Sequence, residues 1–90
     1  MGRAVYFIRN YTKSQYLSYR EVKTVVDGRK IRELRESAHM TITELAGKVG
    51  CSQPQLTYIE QGFKQPGVAL LKRIADQFNV TMESLLVETA

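Results

Sequence analysis

Residues 41 to 62 read Thr41-Ile-Thr-Glu-Leu-Ala-Gly-Lys-Val-Gly50-Cys-Ser-Gln-Pro-Gln-Leu-Thr-Tyr-Ile-Glu-Gln-Gly62. The spacing predicts two short amphipathic helices joined by a tight turn at Gly50-Cys51-Ser52. Thr41 followed by Glu44 has the form of a capping box, so a helix starts there. Gly50 can take the positive φ that ends it. Ser52 caps a second helix, with Pro54 in its first turn, where a missing N–H costs nothing. Leu45, Val49, Leu56 and Ile59 supply a buried seam, and Ala46 is small enough for the two helices to cross closely. The outward face of the second helix is then left free.

Working outward, the same periodicity continues. Ile31, Leu34 and Ala38 define a helix before the pair, and Leu70, Leu71, Ile74, Ala75 and Phe78 one after it. Phe63 extends the apolar spacing of Leu56 and Ile59. Thr81 caps a fifth, short helix over Met82 to Leu86. The stretch before Asp27 differs. Val5-Tyr6-Phe7-Ile8 and Val22-Lys23-Thr24-Val25-Val26 are β-branched and aromatic runs separated by polar residues, which predicts a β-hairpin. A helix beginning at Ser18 competes, because Ser18 and Glu21 also form a capping box. Asp27-Gly28 reads as a turn into the helical part. The expected architecture is therefore mainly α: an N-terminal extension over 1–27 and a five-helix domain over 28–90.

Composition narrows the function. A chain of 90 residues with 43% hydrophobic and 24% charged residues is expected to fold as one globular unit without room for a catalytic cleft beside a binding module. Cys51 is the one cysteine, so neither a disulfide nor a zinc framework is available and a reducing cytoplasm is expected. No apolar run reaches the length of a membrane span. The net charge of +4 is uneven. Residues 1–30 carry seven Lys/Arg against two acids, and residues 31–90 carry six against seven. Tyr6, Tyr11, Tyr16 and Tyr19 among Arg3, Arg9, Lys13, Arg20 and Lys23 can track a phosphate backbone or cover the helical part. No nucleophile and base pair or metal cluster is visible, so neither enzymatic activity nor a cofactor is expected. His39 reads as a solvated turn residue.

The chain resembles the phage Cro and lambda-repressor type of helix-turn-helix protein, the XRE family, from about Arg29 to Leu86. Leu34-Arg35, Thr41, Glu44-Leu45-Ala46, Gly50, Ser52, Ile59-Glu60, Gly62, Pro66, Leu71, Ile74-Ala75, Phe78, Val80 and Leu85-Leu86 carry the resemblance without a gap. It implies a five-helix domain whose third helix, about Gln53 to Gln61, docks in the major groove. Gln53, Pro54, Gln55, Thr57 and Tyr58 then face the bases, with Gln53 suited to adenine. Phosphate contacts fall on Thr41, Ile42 and backbone N–H groups at the start of the second helix, and on Gln61, Lys64 and Arg35. An Arg35–Glu60 ion pair holds the third helix to the first.

Two positions depart from the family pattern. Ile42 stands where Gln usually clamps a phosphate, which its side chain cannot do, so weaker backbone affinity is expected. His39 stands where Gly usually ends the first helix, so a left-handed His is expected. Cys51 occupies a small, apolar position and is expected as a core thiol; a redox role would require an exposed thiolate. The implied function is a sequence-specific transcriptional regulator, homodimeric on a palindromic double-stranded DNA operator, pairing through strand edges of the extension or through the fifth helix. The rival is an antitoxin whose residues 1–27 bind a partner protein while the helices autoregulate.

Overall fold

The computed structural model describes residues 23–89. In chain order these form β1 (Lys23–Val26), α1 (Gly28–Ser37), α2 (Ile42–Val49), α3 (Gln53–Gln61), α4 (Val68–Gln77), a 3-10 turn (Glu83–Leu85) and β2 (Leu86–Thr89). Each element except β2, whose four residues are all exposed, contributes at least one side chain to a single core. Ile31, Leu45, Leu56, Ile59, Ile74 and Leu85 are all 0 to 1% exposed, and full burial of such a side chain contributes about 1.5 to 3 kcal/mol. Leu34, Ile42, Cys51 and Phe78 pack against that core half-buried.

Helix ends follow the local sequence. Asp27 caps α1 through its carboxylate, which accepts from Lys30 N–H at 3.2 Å. Thr41 and Glu44 form the capping box of α2, and Ser52 caps α3 by accepting from Gln55 N–H at 3.2 Å. Gly50 and Gly62 close α2 and α3 with φ of 76° and 85°. His39, at φ 58°, ends α1 as a left-handed residue. Met40 N–H reaches back to Arg35 O and His39 N–H to Glu36 O, the paired bonds of a Schellman stop. Asn79 ends α4 in the same way, at φ 55°.

Three expectations are corrected. The five-helix count becomes four, because Met82 to Leu86 does not form a helix. Thr81 does cap, accepting from Ser84 N–H at 3.2 Å, but only a 3-10 turn follows before the chain extends into β2. A five-residue helix is marginal, whereas Leu86-Val87-Glu88-Thr89 pairs antiparallel with β1, placing Val25 opposite Val87 and Val26 opposite Leu86. The strand at Lys23–Val26 thus has a partner from the far end of the domain, and the competing helix from Ser18 does not run through it. The expected strand at Val5-Tyr6-Phe7-Ile8 lies outside the described residues. The second correction is Phe63, which is 78% exposed because left-handed Gly62 turns the chain away from the core. The third is Ala38, which is also exposed.

Gly28 is more than part of a turn. It is the first residue of α1 and buried, and a Cβ there would fall on the Ile59 carbonyl oxygen and within 2.6 Å of that of Glu60. The start of α1 therefore abuts the backbone at the end of α3. Backbone cannot swing aside as a side chain can. Gly28→Ala is expected to cost about 1 to 3 kcal/mol as an overpacked contact, measured by denaturant unfolding. An ordinary glycine replacement at an unstrained site would instead be stabilising.

Candidate nucleic-acid interface

Helix α3 presents its face to solvent at one end and is gripped at the other. Gln53, Pro54 and Tyr58 are exposed, and Gln55 and Thr57 half-buried. Capping accounts for the backbone donors at its start. Pro54 has no N–H, Gln55 N–H goes to Ser52, and Gln53 N–H alone is left to solvent among the first three helical residues. The Thr57 hydroxyl donates to the Gln53 carbonyl at 2.9 Å, so Thr57 offers its methyl and an oxygen lone pair outward rather than a proton.

At the far end of α3, Glu60 meets Arg35 of α1. Arg35 Nε lies 2.8 Å from Glu60 Oε2 and Nη2 3.0 Å from Oε1, a bidentate pair with side chains 13% and 5% exposed. Arg35 Nη1 also donates to Met40 O at 3.0 Å, just ahead of the Thr41 cap. One guanidinium thereby joins α1, the entry to α2 and the end of α3. The bond to Glu60 raises the pKa of Arg35 above its ordinary value. Three of its five N–H groups are committed inside the protein.

The start of α2 carries a different arrangement. Thr41 N–H donates to Glu44 Oε1 at 2.8 Å, and the Thr41 hydroxyl accepts from Glu44 N–H at 3.1 Å. The bond from Thr41 N–H, then that involving its side chain, holds the Glu44 carboxyl below the usual range, with Lys48 assisting. The box leaves the amides of Ile42 and Thr43, together with the Thr41 hydroxyl proton, facing outward. Helix N-terminal amides are suited to a phosphate oxygen. Gln61, the last residue of α3, and Lys64 beyond it are exposed, and Lys64 is in no ion pair among the described residues.

Sequence reading did not single out Gln65, whose side-chain Oε1 accepts from Val26 N–H at 2.8 Å. It ties the loop carrying Lys64 to the end of β1. The two residues are 39 apart, and no local pattern links them. Cys51 is half-buried against the core. Burial pushes its thiol up, with the Arg73 charge acting in the opposite sense, which disfavours a reactive thiolate.

Two outcomes are expected from these contacts. A double-mutant cycle of Arg35→Met and Glu60→Gln, read by denaturant unfolding, should give a coupling of about 1 to 3 kcal/mol, as for a charged, largely buried hydrogen-bonded pair. Because the Glu44 pKa is lowered in the folded state, its contribution is present above the usual carboxylate range and is lost as pH falls through the folded value. Glu44→Gln should therefore be less stable than the wild type at neutral pH, and thermal midpoints of the two should converge in acid.

Residues 31–85 match the model of the helix-turn-helix family HTH_3. An uncharacterized HTH-type transcriptional regulator of Mycobacterium tuberculosis is 38% identical over 60 residues, 67% of this chain and 43% of that protein, so the chain spans less than half of that relative's length. Among solved structures, SinR of Bacillus subtilis in complex with DNA aligns with a TM-score of 0.61 at 25% identity, covering 64% of this chain and 94% of that one. The P22 c2 repressor, solved with a synthetic operator, aligns with a TM-score of 0.63 at 21% identity over 64% of this chain and 88% of that one, a likeness of fold. The chain belongs to the HTH_3 family of helix-turn-helix proteins, the XRE type.

Proposed function

We propose that the protein is a sequence-specific DNA-binding transcriptional regulator that lays α3 in the major groove and acts as a homodimer on a palindromic operator. The observation that carries this reading is the asymmetry of α3: Gln53, Pro54 and Tyr58 stand in solvent on its outer face while Arg35 and Glu60 clamp its far end. A helix held in this way presents side chains without reorganising, which is what base readout requires.

Gln53 is assigned to an adenine edge, where a carboxamide can pair with N6 and N7. Gln55 and Tyr58 reach adjoining bases, and Pro54, the Thr57 methyl and the Tyr58 ring supply apolar surface for a thymine methyl. Phosphates are held by the Thr41 hydroxyl, the Ile42 amide, Gln61 and Lys64. Arg35 has two N–H groups left for the same purpose, secondary to its ion pair. One such module reads few bases, and a two-fold pair matched to half-sites one helical turn apart supplies the missing specificity. The basic residues of the first 27 positions add sequence-independent attraction.

Selection of duplexes from a random pool by the full chain at physiological salt tests this. A palindrome with half-sites one turn apart is expected, and recovery of unrelated DNA alone would reject it. On the selected duplex, Gln53→Ala should cost about 1 to 3 kcal/mol at one base position. Lys64→Ala should weaken all sequences alike and lower the salt slope by about one.

A further inference from the structure

Arg73 lies on α4 and is not among the residues assigned to DNA, yet its guanidinium reaches across to the turn between α2 and α3. Arg73 Nε donates to the Val49 carbonyl at 2.7 Å. Val49 is the last residue of α2, so its carbonyl has no acceptor role within the helix. The other half of the same peptide unit, Gly50 N–H, donates to Ala46 O at 2.9 Å, and Cys51 N–H shares that oxygen at 3.0 Å. The 49–50 peptide plane is thus held from both sides, by its own helix and by α4. The guanidinium also lies alongside Gly50, 3.8 Å from where a Cβ would stand.

That plane sits at the hinge of the motif. Gly50 is left-handed, free of the Cβ that would limit its rotation, and two residues later Ser52 caps α3. Rotation at Gly50 would swing the start of α3, which bears Gln53, whereas Arg35 and Glu60 restrain only its far end. A nine-residue helix is about 13.5 Å long, so a few degrees of swing displaces the base-facing residues by a sizeable fraction of a hydrogen-bond length.

We infer that Arg73 is a positioning residue for base recognition, fixing the 49–50 peptide and with it the direction in which α3 leaves the turn. The inference rests on the DNA-binding reading, and it gives the two ends of α3 matching restraints: Arg35 at the end and Arg73 at the beginning. In Arg73→Met the stem remains and the donor is lost; Arg73→Lys retains one donor.

The test compares wild type, Arg73→Met and Arg73→Lys as full chains below their unfolding transitions. Affinity is measured for the wild-type-selected duplex and a scrambled duplex across a salt series, with amide NMR spectra of the free proteins. Arg73→Met should lose about tenfold on the selected duplex, comparable to one well-formed base contact, and less than about twofold on the scrambled one. Its salt slope should be unchanged, amide shifts should centre on Gly50 to Gln53, and Arg73→Lys should recover most of the affinity. Equal losses on both duplexes with a slope lower by about one would make Arg73 a phosphate ligand and overturn the inference. Unchanged spectra and an unchanged ratio of affinities would also overturn it. Failure of the wild type to select any duplex would reject the DNA reading instead, and the amide shifts would still decide whether Arg73 orients the turn.

Discussion

The bidentate contact between Arg35 and Glu60 is the constraint on which the arrangement of helices depends. It joins the last turn of α1 to the last turn of α3, and the same guanidinium holds the Met40 carbonyl at the entry to α2. Apolar packing alone would leave these helices able to slide, since dispersion and burial are non-directional. A planar guanidinium against a carboxylate fixes both distance and orientation. Gly28 reinforces it one helix end away, where the absence of a side chain lets the start of α1 rest on the carbonyls of Ile59 and Glu60. The contact is directional because it is polar, and it holds because both partners are largely removed from water.

The outward surface is shaped as much by which donors are used up as by which side chains protrude. Every helix start must satisfy its unpaired N–H groups, and α2 and α3 do so differently. The Thr41–Glu44 box consumes two amides of α2 and leaves two others to solvent. In α3, Ser52 and Pro54 leave only Gln53 N–H outward, so side chains dominate the chemistry of that end. The first arrangement suits an anion and the second suits base edges. Both follow from three or four residues at each cap.

Corrections to the sequence reading share one origin. Phe63 has the spacing of a core residue, yet the left-handed Gly62 between it and Ile59 breaks the helical period and sends it into solvent. Met82 to Leu86 has a helical cap and two leucines, yet its last residue, Leu86, meets Val26 of a strand sixty positions earlier, and the chain extends from there to pair with it. In each case a local pattern was continued past the point where the backbone changed direction.

Helix starts and stops at Thr41, Gly50 and Ser52 and the buried seam of Leu45, Val49, Leu56 and Ile59 were legible in the sequence, because capping and periodicity act over three or four residues, whereas the left-handed His39 was expected only from the family resemblance. Local chemistry determines them whatever the rest of the chain does. Only the tertiary structure decided that Leu86–Thr89 is a strand against Lys23–Val26, that Gln65 pins the end of β1, that Gly28 is a packing position, and that Arg73 reaches the turn between α2 and α3. Those contacts join residues 24 or more positions apart, and their formation depends on the direction in which each helix leaves the core, which no short pattern encodes.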